Sequence, residues 1–206
     1  MKTLDEVQDE NYVPEYANSD ELQDWIFNNL PEGAKILEFG SGTGTIKLAE
    51  QYEVTSVEDN EEWLYLAQDS TYIYAPLVND WYDWQALDIL KNETFDLILI
   101  DGPFDLKKRI GVFDWFQANP KVFSNAILII DDNAYATTIK MTKLFEQSGW
   151  QHIHQTMSAR TIENQNFSLL EPHFGVYVQN HECPECGEEF IRSDEMIECC
   201  ATLENY

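Results

Sequence analysis

The sequence predicts a doubly wound α/β fold, and three observations carry the prediction. Short apolar runs alternate along the chain with stretches of helical periodicity. The runs are apolar at nearly every position, as in strands covered on both faces. Turn-forming or acidic residues stand where they stop, as in "KILEFGSG", "VTSVED", "LILIDGP" and "AILIIDDN". Right-handed crossovers between such strands build a parallel sheet with helices on both sides, and ligands bind at its carboxyl edge.

The elements follow in order. "SDELQDWIFNNL" reads as a helix capped by Ser19 or Asp20, with Leu22, Trp25, Ile26 and Leu30 on one face and Pro31-Glu32-Gly33 ending it. "KILEF" is a buried strand, "TIKLAEQY" a helix, "EVTSVE" a strand and "NEEWLYLAQD" a helix. "TYIYAPLV" is a strand, followed by the Trp-rich connection "NDWYDWQALDIL". "FDLILID" and "AILIID" are strands on either side of a helix in "LKKRIGVFDWFQAN". "AYATTIKMTKLFEQSG" is a helix with Gly149 at its stop, and "WQHIHQTM" and "FGVYVQ" are final, antiparallel strands. His152 and His154 are expected on one face of the first of these, as packing or edge residues, and His173 near an acceptor pocket.

Composition bounds the rest. The 206 residues, 44% hydrophobic, suit one folded domain. We divide the chain into an acidic arm (1–18), a domain (19–180) and a Cys-containing tail (181–206). A net charge of −26 disfavours nucleic acid as the main partner. Lys107, Lys108 and Arg109 form the one compact basic cluster, with Arg109 a candidate for binding an acceptor carboxylate, phosphate or sugar. The N-terminal residues lack a signal-peptide pattern and no apolar run approaches a membrane span, so a soluble cytoplasmic protein is expected. Oligomeric state is not legible.

Chemistry concentrates at the strand ends. Gly40, Gly42 and Gly44 permit a tight turn and close approach of a ligand to the backbone, at the start of a helix. A dinucleotide fingerprint would place glycine where Thr45 stands, and a P-loop would need Gly-Lys-Ser/Thr. Glu58 follows Gly40 by 18 residues, the distance at which a carboxylate accepts ribose hydroxyls. The order favours an adenosine-containing ligand.

"ILEFGSGTGT" followed by "VTSVEDNEEWL" resembles the class I S-adenosylmethionine-dependent methyltransferases. The resemblance implies a seven-stranded sheet with its last strand reversed, over roughly residues 20–180. It implies Glu38, Gly40, Ser41, Gly42, Gly44 and Asp101 at the cofactor, Glu58 on its ribose with Asp59 adjacent, and Asp80 toward adenine. Trp63 and Trp81 are either stacking or core aromatics.

Asp101, Asp131, Asp132 and Asn133 converge at neighbouring strand ends. Clustered carboxylates need a cation or proton, and an all-oxygen set suits Mg²⁺, Ca²⁺ or Mn²⁺ rather than zinc. This part resembles small-molecule and sugar O-methyltransferases. Some of these hold a metal on such residues, and others with "DGP" and "DD" use one Asp as general base, so Asp101 and Asp132 are the expected catalytic residues. In the tail, Cys183 and Cys186 form half of a zinc ribbon, which Cys199, Cys200 or His181 would complete; free thiols are the alternative. The resulting expectation is methyl transfer to a hydroxyl of a small-molecule or glycan-like acceptor. The rivals are a nicotinamide-dinucleotide oxidoreductase and a non-catalytic adaptor working through the CxxC tail.

Overall fold

The structure, a computed structural model, describes residues 19–161, 168–179, 181–182 and 189–190. One seven-stranded sheet organises them. Its strands are β1 (Lys35–Phe39), β2 (Glu53–Glu58), β3 (Thr71–Tyr74), β6 (Leu97–Ile100), β7 (Ile127–Ile130), β8 (Trp150–Thr161) and β9 (Ser168–Gln179), in the spatial order β3-β2-β1-β6-β7-β9-β8. The first five run parallel. β9 is antiparallel to both β7 and β8, so the last long strand is the reversed one. β4 (Leu77–Val78) and β5 (Trp81–Tyr82) form a small separate hairpin, and β10 (His181–Glu182) pairs with β11 (Glu189–Phe190).

The continuous apolar runs serve two faces. Leu37, Phe39, Ile98, Ile100, Leu128 and Ile130 point into one core, under α3 (Gly111–Ala118), α4 (Pro120–Phe123) and α5 (Ala136–Gln147). Ile36, Leu97, Leu99 and Ile129 point into the other, under α1 (Asp20–Asn29) and α2 (Thr43–Leu48). Ser19 caps α1, its hydroxyl accepting the Leu22 N–H at 3.1 Å. From β1 the strand order runs outward in opposite directions, to β2 and β3 on one side and to β6 and β7 on the other. The carboxyl ends of β1 and β6 therefore flank the topological switch point.

Four local expectations change. "NEEWLYLAQD" makes only a 3₁₀ turn, Glu61–Trp63. Tyr65 has φ +63, outside the helical region, and the Tyr72 hydroxyl accepts the Ala67 N–H that a helix would have used. "TYIYAPLV" divides at Ala75-Pro76 into β3 and the hairpin. The helix expected from Leu106 starts at Gly111, because Asp105 holds a turn by accepting the Lys107 N–H on its side chain and the Lys108 N–H on its carbonyl. His152 and His154 fall on opposite faces: His152 stacks on Tyr177 of one core, and His154 lies against Phe174 of the other. A register shift between them breaks the two-residue alternation. Residues 1–18, the four cysteines of the expected zinc site and the side chain of His173 lie outside what is described. No helix among the described residues is long and apolar enough to cross a membrane.

Candidate active site

At the switch point two glycines meet backbone to backbone. Gly40, with φ +90, ends β1, and Gly102 follows β6. A Cβ on Gly40 would lie 2.8 Å from Gly102 Cα, and a Cβ on Gly102 would run into the Gly40 backbone and the Tyr82 hydroxyl. Only paired glycines allow the two turns to approach this closely. The Tyr82 side chain is fully buried and its hydroxyl has no hydrogen-bond partner among the described residues. The ring stacks on Phe39. Nothing in the sequence singled out this tyrosine, because its place depends on the hairpin folding back onto β1.

On the β1–β2 side the glycine loop is fastened by acids. Gly40 N–H donates to the Val57 carbonyl at 2.8 Å. Ser41 donates its N–H at 2.8 Å to one Glu58 oxygen, its hydroxyl oxygen lies 3.3 Å from the same atom, and the other carboxylate oxygen accepts the Asn60 N–H at 2.7 Å. Burial raises the Glu58 pKa, and these hydrogen bonds oppose the rise. A carboxylate oxygen can accept two hydrogen bonds, so the oxygen that takes the Asn60 N–H keeps acceptor capacity for a ligand. Asp59 is also raised by burial, with Lys108 acting in the opposite sense.

Glu38 lies deeper, beneath α2. One of its oxygens accepts the Thr45 and Ser56 hydroxyls, each at 2.7 Å, and Thr45 Oγ1 accepts the Gly42 N–H at 3.1 Å. Burial, only partly offset by those hydroxyls, raises the Glu38 pKa to about 8. It is therefore a neutral acid at pH 7 that holds the loop from below, not a residue presented to a ligand. The position of Thr45, where a dinucleotide fingerprint wants glycine, is spent on this network.

On the β6–β7 side, oxygens of Asp101, Asp131 and Asp132 lie within 4.8 Å of one another. Among them sits Arg109, which is 4% exposed. Its Nη2 donates to Asp101 at 3.3 Å, its Nη1 is 3.1 Å from Asp132, and its Nε donates to the Pro103 carbonyl at 3.1 Å. Pro103 follows a cis peptide bond. Asp101 and Asp131 are hydrogen-bonded to each other. Burial, reinforced by the charge of Asp131, holds the Asp101 pKa well above the carboxylate range, and burial with the charge of Asp132 raises Asp131 to about 6. Asp132 has φ +53, and the Thr138 hydroxyl donates to its carbonyl at 2.7 Å. Aspartate enters this left-handed region more readily than most residues, and the hydrogen bond from Thr138 fixes the turn there.

Three expected roles change accordingly. Arg109 is not turned toward an acceptor, because Asp101, Asp132 and Pro103 engage its guanidinium. Asp101 does not stand free at the mouth of the site: Arg109 donates to it, Asp131 is hydrogen-bonded to it, and burial with the Asp131 charge favours its protonated form. Asn133 points to β9, its amide nitrogen donating to the Tyr177 hydroxyl at 3.3 Å. Trp63 contributes its carbonyl, which accepts the Ser41 hydroxyl at 2.9 Å. Trp81 packs in the core against Phe39, Tyr82 and Gly111. Asp80, with φ +66 and an 84% exposed side chain, pairs with Lys108 at 3.7 Å. Both line an open cleft of about 540 Å³ with Trp81, Trp84, Lys107 and Ile110.

This architecture is the Rossmann-like fold of the class I methyltransferases. The chain matches the precorrin-6Y C5,15-methyltransferase of Geobacter metallireducens GS-15 with a TM-score of 0.51 and 17% identity, over 79% of this chain and 87% of that one. It matches the magnesium protoporphyrin IX methyltransferase of Synechocystis PCC 6803, solved with bound SAM, with a TM-score of 0.50 and 15% identity, over 78% and 77%. In sequence it is 30% identical over 139 residues to YqeM of Bacillus subtilis (strain 168), a methyltransferase by name. The match takes in 65% of this chain and 55% of YqeM, so the chain spans about half the length of this curated relative. No family model matches.

Proposed function

We propose that the chain binds S-adenosylmethionine and transfers its methyl group to a hydroxyl of a small-molecule or glycan-like acceptor. One observation carries the reading: the Gly40–Gly102 contact opens the switch point between a carboxylate edge at Glu58 and a second one at Asp132. A buried, unpartnered Tyr82 hydroxyl at that contact adds a polar atom for a ligand to satisfy.

In this reading the glycine loop and Ser41 hold the amino-acid end of the cofactor, and Glu58 holds the ribose. The nucleoside extends toward the Asp80 cleft, where Lys108 faces both Asp59 and Asp80. The cofactor supplies an electrophilic methyl group. The chain must then orient the acceptor oxygen and take its proton. Asp132, with a side chain 38% exposed at the mouth of the site, is the carboxylate placed to do so.

Calorimetry with S-adenosylhomocysteine tests the first half. The unmodified protein should bind, and Glu58→Ala should lose roughly ten- to a hundredfold in affinity, the worth of hydrogen bonds to a charged group. No binding by the unmodified protein would sink the proposal.

A further inference from the structure

We infer that Arg109 takes the place a divalent cation would have among Asp101, Asp131 and Asp132, making this edge of the site metal-independent. The donor set alone fits an ion: three carboxylates with oxygens within 4.8 Å are what Mg²⁺ or Mn²⁺ uses. The guanidinium removes that fit. Its two terminal nitrogens reach Asp101 and Asp132, at 3.3 and 3.1 Å, while Asp131 is hydrogen-bonded to Asp101. Each carboxylate thus already has a partner, and an ion would have to displace one of them.

Arg109 is also fastened. The Nε–Pro103 hydrogen bond fixes the third edge of the planar group, and the side chain has almost no exposed surface. A planar fork suits this position, since it spans two carboxylates at fixed separation and cannot lose its charge. A metal instead offers open coordination positions to an acceptor, and the buried guanidinium offers none. Arg109 is therefore a positioning residue. It sets where Asp132 stands at the mouth of the site, and the acceptor's proton leaves to a carboxylate without metal activation.

The test is Mn²⁺ uptake, followed by loss of the free-ion electron paramagnetic resonance signal, with no cofactor present. So acidic a chain will collect ions weakly at its surface, and Asp131→Asn provides the control. The unmodified protein and Asp131→Asn should titrate alike. Arg109→Gln should take up one further ion about tenfold more tightly than surface sites do, and Arg109→Gln/Asp131→Asn should lose it. An ion held by the unmodified protein and lost in Asp131→Asn overturns the inference. So does an Arg109→Gln protein that gains no ion.

If Arg109→Gln is poorly folded, thermal unfolding decides. Mg²⁺ should raise the midpoint of Arg109→Gln and leave Arg109→Lys, which keeps a cation, unmoved. A midpoint of Arg109→Gln that ignores Mg²⁺ overturns the inference equally. Because no cofactor enters either measurement, failure here is distinct from failure to bind S-adenosylhomocysteine.

Discussion

The two carboxyl edges of this sheet bury acids in different ways. At β1 and β2, Glu38 and Glu58 are met by neutral donors: hydroxyls of Thr45 and Ser56, and backbone N–H groups of Ser41 and Asn60. At β6 and β7, the aspartates are met by a guanidinium and by one another. The first arrangement spreads its cost over several weak contacts. The second concentrates it on one residue. A hydroxyl–carboxyl network leaves a shaped loop and no fixed positive charge, which suits a cationic sulfonium ligand. A buried cation beside acids fixes their separation.

The sharpest way to break the comparison is to remove the concentrated element. Arg109→Met should destabilise the protein by roughly 2–4 kcal/mol, because it removes the guanidinium's hydrogen bonds to Asp101 and to the Pro103 carbonyl together with its ion pair to Asp132. Ser56→Ala, on the distributed side, should cost only about 1–2 kcal/mol. Urea unfolding of both variants at one pH measures the contrast, and equal losses would mean that the two edges are not energetically distinct.

Next in size is the seam between the edges. Gly102→Ala would push a methyl group into the Gly40 backbone and the Tyr82 hydroxyl. A loss of about 2 kcal/mol or more is expected, together with loss of S-adenosylhomocysteine binding. Gly149→Ala is the matched control: φ is +93 there, but a Cβ meets nothing within 4 Å. Its cost should be limited to backbone strain of about 1 kcal/mol, with affinity unchanged. Calorimetry that found affinity intact in Gly102→Ala would separate the seam from the ligand site.

Protonation gives the third contrast. Glu38 binds its proton with a pKa of about 8 in the folded protein, above its ordinary value of 4.5. The folded state therefore holds more protons between those values. Its contribution to stability is full below about pH 4.5, declines as pH rises and is gone above about pH 8. Asp131, raised to about 6, acts in the same direction over a lower window. Glu38→Gln should flatten the decline between pH 6 and pH 8, by an amount on the order of a few kcal/mol, and leave below pH 6 only the shallower decline that Asp131 contributes. Unfolding free energies measured at successive pH values would show it. A slope unchanged by the substitution would mean that Glu38 is ionised in the fold.

Sequence and structure agree best where a residue's role is set by its strand. Apolar runs, their order and the glycine turn follow from periodicity, and the sheet places Glu58 beside Ser41 as that order requires. Roles set by partners far along the chain were not legible. Arg109 read as one of three adjacent cations, and only the Asp105 turn and the Pro103 carbonyl carry it inward while Lys107 stays exposed. Tyr82 depended on the Pro76 break and the hairpin behind it. The helix expected after Asn60 failed at two successive residues, extended Leu64 and left-handed Tyr65, which no composition rule flags.

The smallest expected effect concerns the outer rim of the first edge. Asp80 is exposed, and its pair with Lys108 spans 3.7 Å, a geometry that contributes little to folding. Asp80→Asn should therefore leave stability within about 0.5 kcal/mol. If the nucleoside reaches this cleft, the same substitution should weaken S-adenosylhomocysteine by a few fold and leave binding of S-methylmethionine, which lacks the nucleoside, unaffected. Lys108→Met separates the two contributions, since it frees Asp59 and Asp80 from the same cation and should not reproduce the loss. Affinity indifferent to Asp80→Asn would confine the ligand to the Gly40–Glu58 side and leave the cleft between Val78 and Asp114 to the acceptor.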